Sequence, residues 1–489
     1  MHRYTLLICG VLFTHSLFAT PPMGMHTWYL ERPTSESLVL AQFDRMTTNG
    51  WKEAGYNLVV IDDTWQGTRN ASGVLLPNPD TFPHGIAWLA AQAHMRGMKL
   101  GIYTEPTLKT SAGKTGSEGH LAQDADTFVD WGIDFIKFDM GLVPEDQLEW
   151  RPEADTAEFA QALQRRGWKG HLHLGIALAR YGPWVFKWAQ SWRGSYGVPA
   201  GSTKSPGIGV DVCQSSGLEQ KLQILQNWDR MMAHAADYGP GRSASFDSCP
   251  SWFANSDAAG FRFCVSLFAM GGVDMFCHSF RASGEGDANF SFSKALLTGE
   301  YVRINQDVLC SPPERVQGDC PDIHGTPKGS EVWKRRLGNC GGVWQAVLVI
   351  NRDLTNAATV SLSWEKLGFQ AGAPVTFLDL ADGLTERVTS KSIVVPPLST
   401  LMYKTTTSDA NPSTPQVLGF AYDQKLGQSK VRAAALPSRR VVLSARSSLT
   451  GTSAWTPVST NTANAGGTVW LGDSDMKSHN SYFYRLQAN

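Results

Sequence analysis

The amino-acid sequence predicts an α/β protein: a (β/α)8 TIM barrel, then an antiparallel β-sandwich domain and a small extra C-terminal β module. Two observations support this prediction. Between residues 20 and 310, short apolar strands alternate with helices, which is typical of a parallel sheet, and a stretch of this length suits an eight-stranded barrel. From residue 325 to 404, short strands follow one another with turn residues between them, which indicates antiparallel sheets.

The predicted elements follow in chain order. The barrel strands are NLVVIDD (57–63), MKLGIYTE (98–105), IDFIKFD (133–139), HLHLGIA (171–177) and VDMFCHS (273–279). Helical segments lie between them, and Gly97 is expected to end the helix of GIAWLAAQAHMRG. The first strand is not followed by GxGxxG, which argues against a dinucleotide-binding sheet.

The C-terminal part of the sequence divides into three segments. Strands such as EVWKRRL, GVWQAVLVINR, AATVSLSW, PVTFLDL and KSIVVPP form the predicted β-sandwich. Residues 405–415, TTTSDANPSTP, are polar and contain proline, as expected of a linker. Residues 416–489 contain the short strands RRVVLSAR, GTVWLG and YFYRLQ, and we interpret them as a small β module that could bind glycan or a cell surface, or serve only as a spacer.

The N-terminal segment predicts export. Residues 1–19 have a basic start, an apolar run and Ala19 before a polar stretch, which is the pattern of a secretory signal peptide. The apolar run is too short to span a membrane, so a secreted or periplasmic protein is expected. Seven cysteines follow Ala19, and this odd number leaves at least one thiol unpaired within the chain. The formal net charge of −1 gives no reason to expect nucleic acid or a membrane surface as a partner.

Acidic residues end three of the predicted barrel strands. Lys137 and Asp139 alternate along one strand and therefore share a face. Asp62, Asp63 and Glu105 end the two preceding strands, so all four acids would meet at the mouth of the barrel. A structural salt bridge between Lys137 and Asp139 would also explain that pair. However, glycoside hydrolysis needs two carboxylates and further polar groups that hold the sugar, which fits the whole set better.

A metal site is the alternative for the histidines of the barrel. His171 and His173 share a strand face, as in barrel metallohydrolases, but they lie at the start of the strand, away from the mouth. We therefore expect a structural role for this pair. Cys277 and His278 are adjacent on a strand and point to opposite faces, which does not favour a shared metal.

Several motifs resemble those of one enzyme family. The motifs are PPMGMHTW (21–28), IDDTW (61–65), FPHGIAWLAAQAHMRGMKLGIY (82–103), DADTFVDWGIDFIKFD (124–139), QSWR (190–193) and RINQD (303–307). In this order they resemble glycoside hydrolase family 27, the melibiase-type α-galactosidases and α-N-acetylgalactosaminidases, whose first motif is PPMGWNSW. The resemblance extends from residue 20 to about residue 404 and does not include residues 405–489.

The resemblance implies a retaining glycosidase with no metal and no organic cofactor, acting on an oligosaccharide or polysaccharide. Asp139 would be the nucleophile, and Lys137 would hold the sugar and keep Asp139 ionised. The other matched residues would bind the sugar ring or its hydroxyls: Trp28, Asp62, Asp63 and Arg193. Oligomeric state is not predicted.

The proton donor departs from the family pattern. The family has Asp four residues after the Arg of SWR, where this chain has Gly197. VDV at residues 210–212 resembles the family's GDI, so we expect an insertion within residues 194–209 and assign the acid/base role to Asp211. In the alternative interpretation, Asp211 is a surface acid and the activity is impaired. Asp247 matches a family sugar-site residue.

Two further expectations concern the loops of the site. Cys213 and Cys249 closely follow Asp211 and Asp247, and a disulfide between them could join the two loops. The glutamate that selects galactose in the family is absent, since Ile176 or Ala177 occupies its place. This absence argues against plain galactose and leaves α-N-acetylgalactosaminide, β-L-arabinopyranoside or another galacto-like sugar open, beside the α-galactoside of the family. A non-catalytic carbohydrate-binding protein on the same scaffold is the alternative function.

Overall fold

The computed structural model describes two compact units. The described residues are 20–30, 33–139, 151–175, 184–193, 217–233, 235–239, 241–245, 258–277, 294–307, 309–318, 329–338, 344–407, 416–423, 428–434, 440–446, 456–462, 468–473 and 483–488. The first unit includes the described residues from 20 to 298, and the second includes those from 299 to 488.

Eight parallel strands form the sheet of the first unit. In chain order the strands are β1 (Met23–His26), β2 (Leu58–Ile61), β3 (Gln66–Arg69), β4 (Leu75–Pro77), β5 (Lys99–Thr104), β6 (Phe135–Phe138), β7 (His171–Leu174), β8 (Ser191–Arg193), β9 (Ser243–Ser245) and β10 (Met275–Cys277). The parallel sheet has the order β10-β1-β2-β5-β6-β7-β8-β9, and β3 and β4 form a separate hairpin. The Asp274 N–H donates to the Ala244 carbonyl at 2.9 Å and so links β10 to β9. The predicted eight-stranded barrel is confirmed.

Helices connect these strands. They are α1 (Glu36–Thr48), α2 (Trp51–Ala54), α3 (Ile86–Met95), α4 (Leu121–Asp130), α5 (Pro152–Arg165), α6 (Val185–Trp188), α7 (Gly217–Met232) and α8 (Ala258–Gly271). The chain leaves α3 through Gly97 (φ 65°) and α4 through Gly132 (φ 76°), a left-handed conformation that glycine adopts without steric cost. Among the described residues, no helix is long and apolar enough to cross a membrane.

Helix α4 shows how a helix is attached to the barrel unit. Its buried residues Leu121, Ala125 and Phe128 recur at helical spacing on one face. Asp124, on the same buried face, accepts two hydrogen bonds of 2.7 Å from the guanidinium of Arg69 on β3. This planar, bidentate contact fixes the β3–β4 hairpin against the helix, close to the ends of the strands.

Antiparallel strands build the second unit. Residues 299–407 contain α9 (Glu300–Asn305), β11 (Glu314–Gln317), β12 (Ser330–Leu337), β13 (Trp344–Asn351), β14 (Ala358–Ser361), α10 (Trp364–Leu367), β15 (Val375–Asp379), β16 (Thr385–Val388), β17 (Ser392–Val395) and β18 (Ser399–Thr406). The sheets are β11-β12-β13-β18-β15-β16 and β14-β17, and they enclose an apolar core that includes Val347, Val349 and Phe377. The predicted antiparallel domain is confirmed. One detail was wrong, because the strand predicted through Trp364 ends at Ser361 and α10 follows it.

The C-terminal residues form two small sheets. The strands are β19 (Gln416–Asp423), β20 (Gln428–Ala434), β21 (Arg440–Arg446), β22 (Thr456–Thr462), β23 (Thr468–Asp473) and β24 (Phe483–Ala488). They pair as β19-β20-β23 and as β22-β21-β24, in both cases antiparallel. The predicted C-terminal β module is confirmed as an all-β segment.

Candidate active site

Acidic residues directly follow three neighbouring barrel strands. Asp62 follows β2, Glu105 follows β5 and Asp139 follows β6. Because these strands are parallel and adjacent, their carboxyl ends open at the same mouth of the barrel. All three acids are at least nine-tenths buried, so their charges interact with each other and with few water molecules.

The carboxylate of Asp62 is held from several sides. Its Oδ2 lies 3.1 Å from Lys137 Nζ and 3.2 Å from His26 Nδ1. Its Oδ1 accepts the Asp63 N–H at 2.9 Å, and its own N–H donates to the Thr27 hydroxyl at 2.9 Å. Burial raises the pKa of Asp62, but Lys137 and His26 outweigh that effect, so the pKa falls to about 2. Asp62 is therefore ionised at any pH at which a typical enzyme works.

Lys137 lies between Asp62 and the predicted nucleophile. Its Nζ is 3.1 Å from Asp62 Oδ2 and 3.9 Å from Asp139 Oδ2. It also lies 5.5 Å from the centre of the Tyr103 ring, on the strand paired with β6. Lys137 and Asp139 lie on one face of the strand, as their spacing predicts. The closer partner of Lys137 is Asp62, which the sequence did not indicate.

Asp139 occupies a closely fitted place at the end of β6. Its backbone N–H donates to the Thr104 carbonyl at 2.9 Å, which continues the sheet up to the acid itself. Gly175, at the end of β7, faces its carboxylate so closely that a Cβ there would lie 2.5 Å from Asp139 Cγ. The side chain of Asp139 is 12% exposed, so the carboxylate is reachable from the mouth while its surroundings fix its position.

Tyr103 and Glu105 form a second hydrogen-bonded group at the mouth of the barrel. The Tyr103 hydroxyl donates to Glu105 Oε1, and the Ser111 N–H donates to the same oxygen at 2.6 Å. Burial raises the pKa of Glu105 in spite of these donors. Burial, followed by the nearby charges of Asp139 and Glu105, raises the pKa of Tyr103 well above its usual value. Tyr103 is therefore a neutral hydroxyl surrounded by acids.

Asp63 points towards a loop, residues 106–116. Its Oδ1 accepts the Thr64 N–H and the Thr110 hydroxyl, both at 2.8 Å, and its Oδ2 accepts the Ala112 N–H at 2.7 Å. Burial raises the pKa of Asp63 against the opposing effect of these donors. A carboxylate has about four acceptor positions, and three are used here by the protein. The predicted contact of Asp63 with a sugar hydroxyl stays a prediction, limited to the remaining position.

The backbone is strained directly beside the acids. Thr64 has φ 92°, although a β-branched residue rarely adopts this conformation. Its N–H donates to Asp63 at 2.8 Å and to Gln66 Oε1 at 3.1 Å, and its hydroxyl accepts the Thr34 N–H at 3.3 Å. These contacts hold the conformation in place. Strain of this kind is concentrated at functional sites.

Two more predicted sugar-site residues lie at strand ends. Trp28 belongs to a short 3-10 helix, Thr27–Tyr29, that directly follows β1. The residue is partly exposed. Arg193 is the last residue of β8 and is also partly exposed. Both therefore emerge on the side of the barrel where the acids lie.

Other predicted site residues lie outside the described part of the chain. They are Asp211, Asp247, Ile176, Ala177, Cys213 and Cys249. The assignment of the acid/base, the identity of the sugar-selecting residue and the expected disulfide therefore stay predictions.

His171 and His173 fill the interior of the barrel. Both stack on Phe135, with ring centroids 5.2 and 5.8 Å away. His171 Nε2 and His173 Nδ1 both lie within 2.8 Å of the Ser191 hydroxyl. Burial, together with the charge of Lys99, lowers the pKa of His171 to about 3. Within the described residues, no group of three or more His, Cys, Asp or Glu is arranged to hold a metal ion.

Two contacts at the mouth were not predicted from the sequence. His26 contacts Asp62 because β1 pairs with β2 in the register Met25 with Val59 and His26 with Val60. Tyr103 pairs with Lys137 across β5 and β6. The alternation of side chains along MKLGIYTE could have indicated Tyr103, since it lies two residues before Glu105.

Comparisons with known proteins relate the chain to one family. A model of the melibiase family, described as alpha galactosidase A, matches residues 30–169. An alpha-galactosidase of Oryza sativa subsp. japonica is 27% identical over 75% of this chain and 80% of its own length. The alpha-N-acetylgalactosaminidase of Homo sapiens is 37% identical over 31% of this chain and 42% of its own.

A solved structure shows the same fold. The alpha-galactosidase I of Mortierella vinacea superposes with a TM-score of 0.64 at 22% identity, over 80% of this chain and 97% of that one. The barrel with a carboxylate-lined mouth, taken with these matches, defines a glycoside hydrolase. The chain resembles the melibiase family, glycoside hydrolase family 27, in the sequence of residues 30–169 and in its fold.

Proposed function

We propose that the protein is a retaining exo-glycosidase that releases a terminal galacto-configured sugar, with Asp139 as nucleophile and Asp211 as general acid/base. The main support is the position of Asp139: at the end of β6, close against Gly175 and 3.9 Å from the ammonium of Lys137. A nearby cation keeps a carboxylate ionised and hence nucleophilic. Asp62, Asp63, Trp28, Arg193 and Asp247 complete the proposed sugar site.

The proposed reaction has two steps. Asp139 attacks the anomeric carbon and forms a glycosyl ester, while Asp211 gives a proton to the leaving oxygen. Asp211 then removes a proton from water, the water attacks the anomeric carbon, and Asp139 leaves as a carboxylate. Two inversions give retention of configuration. Neither step needs a metal ion or an organic cofactor.

The sugar is proposed by class only. Relatives carry the names alpha-galactosidase and alpha-N-acetylgalactosaminidase, and these sugars share the galacto configuration. An ionised Asp62 and a charged Lys137 can bind neighbouring hydroxyls of such a ring through charge-assisted hydrogen bonds. Secretion is part of the proposal and is supported by the sequence of residues 1–19.

A stereochemical experiment tests the two roles. The purified protein is assayed with aryl α-galactoside, α-N-acetylgalactosaminide and β-L-arabinopyranoside, and the first product anomer is identified by NMR. With Asp139→Gly, added azide takes the place of the nucleophile and gives a glycosyl azide of inverted configuration. With Asp211→Gly, azide attacks the glycosyl ester and gives a retained product.

Controls separate this proposal from its alternatives. Asp130→Asn removes an exposed acid of α4 that pairs with Arg166 on the outside of the barrel, and it should leave hydrolysis unchanged. Sugar binding without turnover by the wild-type protein would instead favour a non-catalytic binding protein. Retained azide product from Asp139→Gly would contradict the assignment of the nucleophile.

A further inference from the structure

His26 and Lys137 both contact the same carboxylate oxygen of Asp62. Lys137 Nζ and His26 Nδ1 lie 3.1 and 3.2 Å from Asp62 Oδ2. The other oxygen of Asp62 already accepts the Asp63 N–H. Since Lys137 also lies 3.9 Å from Asp139, its charge is divided between two carboxylates. How strongly Lys137 is attracted to Asp62 rather than to Asp139 depends on the other groups that contact the Asp62 carboxylate.

The imidazole of His26 is buried in the barrel and lies close to the Asp62 carboxylate. The residue is 3% exposed, and its ring packs on Phe276 with centroids 4.2 Å apart. Both ring nitrogens are buried and neither makes a well-aligned hydrogen bond to a described residue, so the polar contact of this ring is the approach of Nδ1 to within 3.2 Å of Asp62 Oδ2. A buried imidazole with poorly satisfied nitrogens destabilises the fold, and an apolar ring at a core position would not carry this cost. His26 also stands where the family motif PPMGWNSW has asparagine.

We propose that His26 is a positioning residue for the nucleophile, acting through Asp62 and Lys137. With Nδ1 3.2 Å from Asp62 Oδ2, it gives this oxygen a second polar contact, which Lys137 would otherwise have to supply alone. Lys137 then stays within reach of Asp139. This inference rests on the proposed function, because it assumes that Asp139 must be ionised to attack the sugar.

Other charged groups around Asp139 are known and do not replace this effect. Asp62 follows β2, Lys137 lies on β6 directly before Asp139, and Gly175, directly after β7, has no side chain. From β5, the neutral Tyr103 hydroxyl is bonded to Glu105, which adds a negative charge. Among these groups Lys137 is the cation. Moving it away from Asp139 therefore makes protonation of the nucleophile easier.

The test compares replacements of His26 with and without an N–H donor. His26→Phe and His26→Leu keep an apolar contact with Phe276 but cannot donate to Asp62. The acidic limb of the kcat/KM profile should move to higher pH by about half a unit or more, since a cation within 4–6 Å changes a carboxylate pKa by about 1–3 units. His26→Asn keeps a donor near the Nδ1 position, so its limb should lie close to that of the wild type.

A matched control and a folding measurement complete the experiment. His84→Phe removes a histidine that contacts Glu36 at 2.8 Å and stacks on Trp88, outside the mouth. Its acidic limb should not move. Thermal unfolding shows which variants are folded. Two substitutions of His26 that lack an N–H donor, Phe and Leu, are included in case one of them does not fold. The proposal would be wrong if a folded Phe or Leu variant kept the acidic limb of the wild type. It would also be wrong if the acidic limb of His26→Asn moved as far as theirs. Full activity of Asp139→Asn would instead contradict the proposed function.

Discussion

The carboxylate of Asp139 lies directly against the backbone of Gly175, with no room for a methyl group between them. A Cβ at Gly175 would come within 2.5 Å of both Cγ and Oδ1 of Asp139. Gly175→Ala should therefore displace the nucleophile. A misplacement of about 1 Å costs on the order of 100-fold in rate, so we expect a fall of that size in kcat. Steady-state kinetics on the preferred aryl glycoside measure it.

Gly239→Ala is the matched control for this change. A Cβ at Gly239 would meet nothing within 4 Å, so the rate should stay at the wild-type level. Circular dichroism should show both variants folded. A folded Gly175→Ala protein with wild-type kcat would mean that Asp139 is not the nucleophile, or that its position is not critical.

Asp62 should make the stability of the protein depend on pH. Its pKa is about 2 when folded and near 3.8 when unfolded, so it stabilises the fold above pH 4 and loses this effect as the pH falls through 2. A shift of this size corresponds to about 2 kcal/mol. In Asp62→Asn, the free energy of unfolding should be lower at pH 6, and the difference from the wild type should shrink towards pH 2.

Urea unfolding across this pH range measures the effect. Asp44→Asn, in a surface pair 3.3 Å from Arg96, should change the free energy of unfolding by less than about 1 kcal/mol. A difference between Asp62→Asn and wild type that stays constant from pH 6 to pH 2 would show that the charge of Asp62 is not stabilised as described.

The loop of residues 106–116 should depend on Thr110. The hydroxyl of Thr110 donates to Asp63 at 2.8 Å and accepts the Lys114 N–H at 3.0 Å. Thr110→Val keeps the shape of the side chain but leaves buried polar partners unsatisfied, which costs about 1–3 kcal/mol. We expect faster proteolysis within residues 106–116 and a lower thermal midpoint. Thr48→Val, at the exposed end of α1, is the control and should change neither.

A buried ion pair should determine the stability of the antiparallel domain. Arg352 Nε lies 2.8 Å from Glu331 Oε1, both residues are nearly inaccessible to solvent, and Trp333 Nε1 donates to the same carboxylate. Arg352→Met leaves a buried carboxylate without its main cation, which costs about 3–5 kcal/mol. Urea unfolding should show this loss. Arg336→Met changes an exposed arginine and should have a small effect.

Five barrel strands could be predicted from the sequence because they are apolar and clearly delimited. Three others lie outside the predicted segments: Met23–His26, Ser191–Arg193 and Ser243–Ser245. They are short, and two contain serine at buried positions where an apolar residue would have indicated a strand. Their inward side chains contact other polar groups of the barrel, as Ser191 does with His171 and His173. Such long-range pairing leaves no local signal.

The sequence indicated which residues lie in the site, but it could not show which groups they contact. The motifs and strand ends indicated Asp62, Lys137 and Asp139, and the structure brings them together. The loop contacts of Asp63 could not be foreseen, because they depend on how Thr110 and Ala112 fold back over the strand ends. The role of His26 depends on the register between β1 and β2, which is set by the closing of the barrel.

The acids around Tyr103 should also affect which ligands bind, through their charge. The four carboxyl groups that influence Tyr103 outnumber the ammonium of Lys137, and they lie in a region of low dielectric constant. Among the described groups close to Tyr103, negative charge therefore exceeds positive charge. A sugar analogue whose ring carries a protonated nitrogen should be attracted, whereas a sulfated or uronic acid ring should be repelled. If this expectation holds, an acidic ring would be disfavoured before any individual hydroxyl is recognised.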